Sequence, residues 1–87
     1  MDEDKKILVE FYIREGEYSP VCRFEFPHQS FIYSILESTP VNEQKKYKFY
    51  FFNNILVSNN YSKDVLKFLK KGAKKAGFEI EFVEKKR

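Results

Sequence analysis

The sequence predicts an α+β domain: a two-layer sandwich in which two helices cover one face of an antiparallel sheet. Short segments that alternate apolar and polar residues are typical of strands with one buried face. Two other segments carry apolar residues at helical spacing. The 87 residues suffice for one hydrophobic core, so we expect a single domain over residues 1–87, with frayed ends at 1–5 and 84–87.

The first two predicted strands form a hairpin. Residues 6–14 alternate regularly between apolar and polar side chains. Turn-forming residues at 15–20 interrupt this pattern, and it resumes over residues 21–26, where Cys22 is interpreted as a buried apolar side chain. Antiparallel pairing is the simplest arrangement for two strands joined by so short a connection.

A short amphipathic helix is predicted over residues 28–38. Pro27 fits the first turn of a helix, where a missing backbone N–H breaks no hydrogen bond. Thr39 ends the helix because a residue before proline, here Pro40, avoids helical backbone angles. Residues 40–45 are then expected to form a polar loop.

The most aromatic segment, residues 46–52, is predicted to be a strand. Asn53 and Asn54 follow it and suit a tight hairpin turn, because asparagine tolerates positive φ angles. Residues 55–58 would then form the return strand. One uninterrupted strand through residue 57 is the alternative.

The longest predicted helix covers residues 62–76, with Ser62 as its N-cap. Gly77 suits the left-handed position that often ends a helix, and Gly72 is expected to allow close packing of this helix on the sheet. A last strand follows over residues 78–82. The resulting order, ββαββαβ, is the order of ferredoxin-like domains preceded by one strand.

Charge is distributed unequally along the chain. Residues 1–44 contain four basic and nine acidic side chains (net −5), and residues 45–87 contain twelve basic and four acidic ones (net +8), which sum to +3. Six lysines on the longest predicted helix, where Asp64 is the single acid, account for most of the excess: Lys63, Lys67, Lys70, Lys71, Lys74 and Lys75. A local field of this kind favours nucleic acid or an acidic protein surface as partner.

These lysines are expected to bind phosphates. A helical wheel at about 100° per residue places them together, away from the apolar residues that would face the sheet. Plain solvation of the helix is the alternative, but solvating helices usually pair lysines with carboxylates at i, i+4 spacing. Lysine contacts phosphate as a point charge, so we expect little sequence selectivity.

Aromatic residues suggest a second contact region. Lys46 and Lys48 flank the aromatic strand, and Tyr12, Tyr50 and Phe52 are predicted on an outer face of the sheet. Exposed rings beside lysines suit the stacking of single-stranded nucleic acid. A mainly structural role for these aromatic residues, or a homodimer interface, is the alternative.

We therefore expect a small non-enzymatic module that binds RNA or DNA, without metal or cofactor. The alternative is a protein-interaction module, either a subunit of a larger complex or a small viral inhibitor of the anti-CRISPR type. A metal-independent nuclease would need His28, the only histidine, and no second catalytic motif supports it. The single cysteine and the lack of a long apolar run or signal peptide favour a cytoplasmic protein with no membrane partner.

Overall fold

The computed structural model describes residues 5–14, 21–59 and 61–85. Its elements are β1 (Lys6–Arg14), β2 (Val21–Glu25), α1 (Gln29–Glu37), α2 (Val41–Tyr47), β3 (Phe49–Phe52), β4 (Ile55–Ser58), α3 (Lys63–Lys75) and β5 (Glu79–Lys85). The described residues thus confirm an α+β fold, with one helix more than predicted. The expected turn at 15–20 and the outermost residues expected to fray lie outside the described residues.

The five strands form one mixed sheet in the order β3-β4-β2-β1-β5. Neighbouring strands are antiparallel except β1 and β5, which are parallel. The prediction of a purely antiparallel sheet was therefore wrong. The helix α3 carries the chain back along the sheet after β4, so β5 enters from the same end as β4 and runs in the same direction.

The predicted hairpins are both present. β1 pairs antiparallel with β2, and β3 pairs antiparallel with β4 across Asn53-Asn54. Asn53 takes the positive φ expected of the turn, at +54°. The Asn54 side chain donates a hydrogen bond of 2.9 Å to the carbonyl oxygen of Phe26, and the Phe26 N–H donates one of 3.0 Å to the Asn54 carbonyl oxygen. These two bonds tie the turn to the end of β2.

The segment after Pro40 forms the helix α2, where a polar loop and the start of a strand were predicted. Glu43 lies in its first turn, and Lys45 and Lys46 lie in its last turn, an arrangement that the helix dipole favours. Lys48 ends the helix with a left-handed backbone at φ +51°. The strand β3 therefore begins three residues later than predicted.

Tertiary contacts hold α2 in place. The Gln44 side-chain amide donates hydrogen bonds to the carbonyl oxygens of Leu36 and Thr39. Tyr47, only 7% exposed, packs its ring against Phe68 of α3 with 4.8 Å between the ring centroids. The helix is thus stabilised from α1 on one side and from α3 on the other.

The sheet has one buried and one exposed face. Inward-facing residues of β1, β2, β4 and β5 join residues of α1, α2 and α3 in a single core. The alternation predicted for β1 is confirmed, since Ile7 and Val9 are buried while Leu8 between them is 58% exposed. Cys22 and Phe24 of β2 are fully buried on the same face.

Close approach of α1 and α3 depends on Gly72. A Cβ atom built at Gly72 would lie 2.8 Å from Cγ2 of Ile35 and 2.8 Å from Oγ1 of Thr39. The Ser38 hydroxyl donates a hydrogen bond of 2.9 Å to the Gly72 carbonyl oxygen across this contact. The predicted close packing at Gly72 is present, but its partner is α1 and not the sheet.

Both ends of α3 match the prediction to within one residue. Ser62 occupies the N-cap position, although its side chain makes no capping hydrogen bond. Gly77 has φ +90°, and its N–H and that of Phe78 donate to the carbonyl oxygens of Lys74 and Ala73. This pair of bonds is the Schellman arrangement that satisfies the last carbonyls of a helix. After it, β5 extends through residues 84 and 85, which were expected to fray.

Candidate nucleic-acid interface

The exposed side of α3 forms what we call the lysine surface. Its apolar residues Val65 and Leu69 are fully buried and fix the rotation of the helix. This rotation leaves six lysine side chains exposed: Lys63, Lys67, Lys70, Lys71, Lys74 and Lys75. The helix spans about 18 Å between its first and last lysine, at a rise of about 1.5 Å per residue. The predicted helical clustering of these lysines is therefore present.

The lysine surface has no carboxylate partner within the described parts of the chain. The ion pairs there all lie on the sheet: Lys6 with Glu81 at 3.9 Å, Arg23 with Glu25 at 3.0 Å and Lys85 with Glu10 at 3.7 Å. Within residues 5–14, 21–59 and 61–85, no carboxylate oxygen lies within the 4.0 Å of an ion pair from the α3 ammonium groups. No carboxylate among these described residues therefore neutralises the α3 ammonium groups.

Two adjoining surface cavities lie along α3 and β5, and together we call them the β5 groove. One has a volume of about 460 Å³ and is lined by Phe11, Tyr61, Lys63, Leu66, Lys67, Lys70, Phe82 and Glu84. The other has a volume of about 630 Å³ and is lined by Lys5, Lys70, Lys74, Gly77, Phe78, Glu79 and Ile80. The shared residue Lys70 joins them, so the groove follows the length of the helix.

Aromatic rings form the floor of the β5 groove. Tyr61 is half-buried and stacks on Phe11, with 6.2 Å between ring centroids and 14° between ring planes. Phe82 meets Phe11 edge-on at 6.2 Å. Burial raises the pKa of the Tyr61 hydroxyl, and the nearby Cys22 and Glu84 raise this pKa further. The phenol is therefore neutral at physiological pH.

The lysine surface extends to the opposite flank of α3 as well. There Lys71 and Lys75 line a smaller cavity of about 230 Å³, together with Phe68 and with Pro40 and Glu43 at the start of α2. This flank is less positive than the β5 groove, because two lysines and one carboxylate line it, whereas five lysines and two carboxylates line the β5 groove. The six lysines are thus divided between two grooves, a division that the helical wheel alone did not reveal.

Lys46 and Lys48, predicted on the aromatic strand, lie elsewhere. Lys46 belongs to α2, and its ammonium group lies 5.6 Å from the centroid of the neighbouring Tyr47 ring. Lys48 is the left-handed residue that follows the helix. Both side chains are exposed, but neither lines the β5 groove.

The predicted aromatic platform on the outer face of the sheet is only partly formed. Tyr50 and Phe52 are exposed as expected, by 49% and 61%. Tyr12 is half-buried and does not adjoin them, because β4 and β2 separate β3 from β1. Along this row of the sheet, Val57 and Arg23 lie between Tyr50 and Tyr12.

Other candidate groups lie apart from the lysine surface. His28 is exposed at the N-cap of α1, with its ring centroid 5.7 Å from that of Phe31. Cys22 is fully buried, and burial, with a smaller effect of Glu84, raises the pKa of its thiol to about 12. Its interpretation as a buried apolar side chain is confirmed. The described residues contain no cluster of three or more histidine, cysteine or acidic residues that could hold a metal ion.

Sequence reasoning missed the contribution of Tyr61 to the β5 groove. A signal was present, because Tyr61 directly precedes the N-cap Ser62 and Leu66 follows four residues after that cap. Apolar residues at these two positions typically pack together as a hydrophobic staple at a helix start. Both residues line the same cavity, with Tyr61 projecting toward the sheet.

No protein-family model, curated protein or solved structure matches the chain. None of the helices in the described ranges has the length and apolar character needed to cross a membrane.

Proposed function

We propose that the chain is a small, non-enzymatic nucleic-acid-binding module that contacts phosphates through its lysine surface. One observation carries the proposal: α3 presents six exposed ammonium groups, and no described carboxylate pairs with them. Residues of like charge on one helix repel each other, so neutralisation by a polyanion relieves a cost that ordinary solvating helices avoid.

The chemistry of lysine sets the expected character of the binding. Each neutralised phosphate releases condensed counterions, so affinity falls steeply as salt rises. Lysine lacks the planar fork with which arginine reads guanine, and no arginine lies on α3. We therefore expect contacts to the phosphate backbone with weak preference for sequence.

The proposal also covers the fold of the module and its location in the cell. We propose that β1 is an addition to a ferredoxin-like, two-layer core, since it lies between β2 and β5 in the sheet. The only cysteine is buried and free, which supports a reducing, cytoplasmic location.

Titration of fluorescent RNA and DNA of mixed sequence tests the proposal. We expect measurable binding at about 50 mM salt and at least roughly tenfold weaker binding at about 200 mM, because several phosphate contacts are lost together. Lack of binding at the lower salt concentration would contradict the proposal, as would an affinity independent of salt.

A pair of matched variants separates the lysine surface from total charge. Lys67→Gln with Lys71→Gln removes two positive charges from α3, and Lys6→Gln with Lys85→Gln removes two from the sheet. We expect the first variant to weaken binding severalfold more than the second. Equal losses would mean that net charge, and not the lysine surface, determines affinity.

The outer face of the sheet favours a second candidate function, protein interaction. Tyr50 and Phe52 expose 49% and 61% of their surface there, and Leu8 exposes 58%. Exposed aromatic groups of this kind are enriched in protein interfaces. The partner would be a second copy of the chain, a larger complex in which it is a subunit, or the target of a small viral inhibitor.

Light scattering over a range of protein concentrations tests the homodimer. A dimer that Phe52→Ser converts to a monomer would support the outer face as an interface. A monomer mass at every concentration would contradict self-association through this face.

A further inference from the structure

We propose that the β5 groove binds a single strand of nucleic acid, with phosphates along α3 and bases on the aromatic floor. The inference rests on the proposed function and deepens it, because it names the form of nucleic acid and the groove that holds it. Two properties occur together in this groove: a row of lysines that no described carboxylate pairs with, and half-buried rings directly beside it.

One wall of the groove matches the phosphate backbone. Lys63, Lys67, Lys70 and Lys74 line it from α3, and Lys5 joins them at the end near the start of β5. The first and last of the α3 lysines are separated by about 16 Å of helix. This length accommodates several consecutive phosphates of one strand.

The floor of the groove matches the bases. Tyr61 lies at the cavity wall beside Lys63 and Lys67, and its half-buried ring is held in orientation by stacking on Phe11. Phe78 lines the adjoining cavity and is fixed edge-on by Phe31 at 4.8 Å. Rings beside positive charges are the combination by which single-stranded nucleic acid is bound without sequence preference.

The opposite wall determines which side of the bound nucleic acid faces β5. Glu84 and Glu79 of β5 line the two cavities across from the lysines. Carboxylates repel phosphates, so the backbone is confined to the α3 side of the groove. On the β5 side, the same carboxylates can accept hydrogen bonds from the exocyclic amino groups of bases.

A duplex does not fit this arrangement. Paired bases are stacked on each other inside the double helix and present only their edges to a protein. Ring stacking requires bases that are splayed from the backbone, as in single strands. A duplex can therefore contact the lysines but gains nothing from Tyr61 or Phe78.

The first experiment compares single-stranded DNA, single-stranded RNA and a duplex of one mixed sequence by fluorescence anisotropy. We expect both single strands to bind at least roughly tenfold more tightly than the duplex, in line with one stacked base or more. The slope of log affinity against log salt should be about −3 for single strands, from four phosphates at about −0.7 each. Equal or tighter binding of the duplex would overturn the inference.

Substitution of Tyr61 supplies the second experiment. Tyr61→Leu keeps apolar volume but removes the ring, and we expect a loss of roughly 5- to 150-fold for single strands with no change for the duplex. Tyr61→Phe should restore affinity, and Tyr50→Leu, the matched loss of a ring on the outer face, should leave it unchanged. Unchanged single-strand affinity in a folded Tyr61→Leu variant would overturn the inference.

Photo-crosslinking keeps the test independent of how well the variants fold. A 5-bromouracil strand bound to the unmodified protein should crosslink to the peptide that contains Tyr61. Crosslinks confined to Tyr50 or Phe52 would place the bases on the outer face and overturn the inference. If the Lys67 and Lys71 variants still weakened binding in that case, the proposed function would stand while the β5 groove was excluded.

Discussion

The lysine surface and the outer face of the sheet are both exposed and both rich in charge, yet their charges differ in availability. On the outer face, neighbouring strands place opposite charges side by side, as in the 3.7 Å pair between Lys85 and Glu10. On α3 the i, i+4 neighbours of the lysines are other lysines: Lys63 with Lys67, Lys67 with Lys71, Lys71 with Lys75 and Lys70 with Lys74. The two surfaces therefore differ in ion pairing and not in exposure, since no described carboxylate forms an ion pair with the α3 ammonium groups.

Reversing charge on the lysine surface should have the largest effect. In the variant with glutamate at positions 67, 70, 71 and 74, we expect nucleic-acid affinity to fall on the order of 1,000-fold. Each ammonium–phosphate contact is worth about 1 kcal/mol in water, so loss of the three contacts in the β5 groove costs about 3 kcal/mol, and repulsion of phosphates by the new carboxylates adds to this cost. Anisotropy titration measures the loss, and circular dichroism checks that the fold persists. Affinity within threefold of the original would mean that α3 is no more a binding surface than the outer face.

The next largest effect should come from the contact that holds α3 against α1. Gly72→Ala should lower the free energy of unfolding by about 1–2 kcal/mol, because overpacking outweighs the gain in helix propensity. Its Cβ would lie 2.8 Å from atoms of Ile35 and Thr39. Urea unfolding measures the change, and a Thr39→Ala background, which removes one of the two contacts, should reduce it.

Gly77 offers a control for Gly72→Ala. No atom lies within 4 Å of a Cβ built at Gly77, but its φ of +90° is unfavourable for alanine. Gly77→Ala should therefore destabilise the protein to the same extent with or without Thr39→Ala. An equal loss from Gly72→Ala in both backgrounds would contradict crowding by Thr39.

A smaller effect is expected from the thiol of Cys22, buried between the two surfaces. Burial raises its pKa from 9.0 to about 12 in the folded protein. The unfolded chain therefore releases this proton first as pH rises, and stability present below about pH 9 is lost between about pH 9 and pH 12. The free energy of unfolding should fall by about 1 kcal/mol more in the original protein than in Cys22→Ala between about pH 8 and pH 10. Parallel pH profiles for the two proteins would contradict this.

The smallest effect is expected on the outer face. Phe52→Ser should leave nucleic-acid affinity within about twofold, because surface substitutions away from a binding site change free energies by roughly 0.5 kcal/mol or less. Phe52 is exposed by 61% and lies outside the β5 groove. A large loss of affinity would show that the outer face takes part in binding and would remove the distinction between the two surfaces.

The sequence predicts α3 well because the information is local. Its apolar and charged residues repeat at helical spacing over several turns, and Gly77 ends it by a backbone conformation that glycine favours. The positions of the six lysines follow from this pattern alone. The surroundings of these lysines do not follow from the pattern, because the β5 groove is formed by residues from β1, α3 and β5 together.

Two features of the fold were predicted wrongly because they depend on contacts with other parts of the chain. The helix α2 depends on hydrogen bonds from Gln44 to the carbonyl oxygens of Leu36 and Thr39, and on the packing of Tyr47 against Phe68. The polar residues 40–45 had been predicted as a loop, and the aromatic alternation over residues 46–52 favoured a strand at the end of this segment. Likewise, alternation identifies β5 as a strand but carries no information on its neighbour, so its parallel pairing with β1 was not predicted.

This pairing of β1 with β5 also shapes how the chain reaches its fold. Ile7 lies opposite Ile80, which follows it by 73 residues in the sequence. Contacts between positions so distant in the chain close large loops and slow folding. Until β5 docks, one side of β1 presents unpaired backbone groups to other molecules, and such an edge invites intermolecular strand pairing. During synthesis the protein should therefore pass through an aggregation-prone stage that ends only when residues 79–85 have left the ribosome.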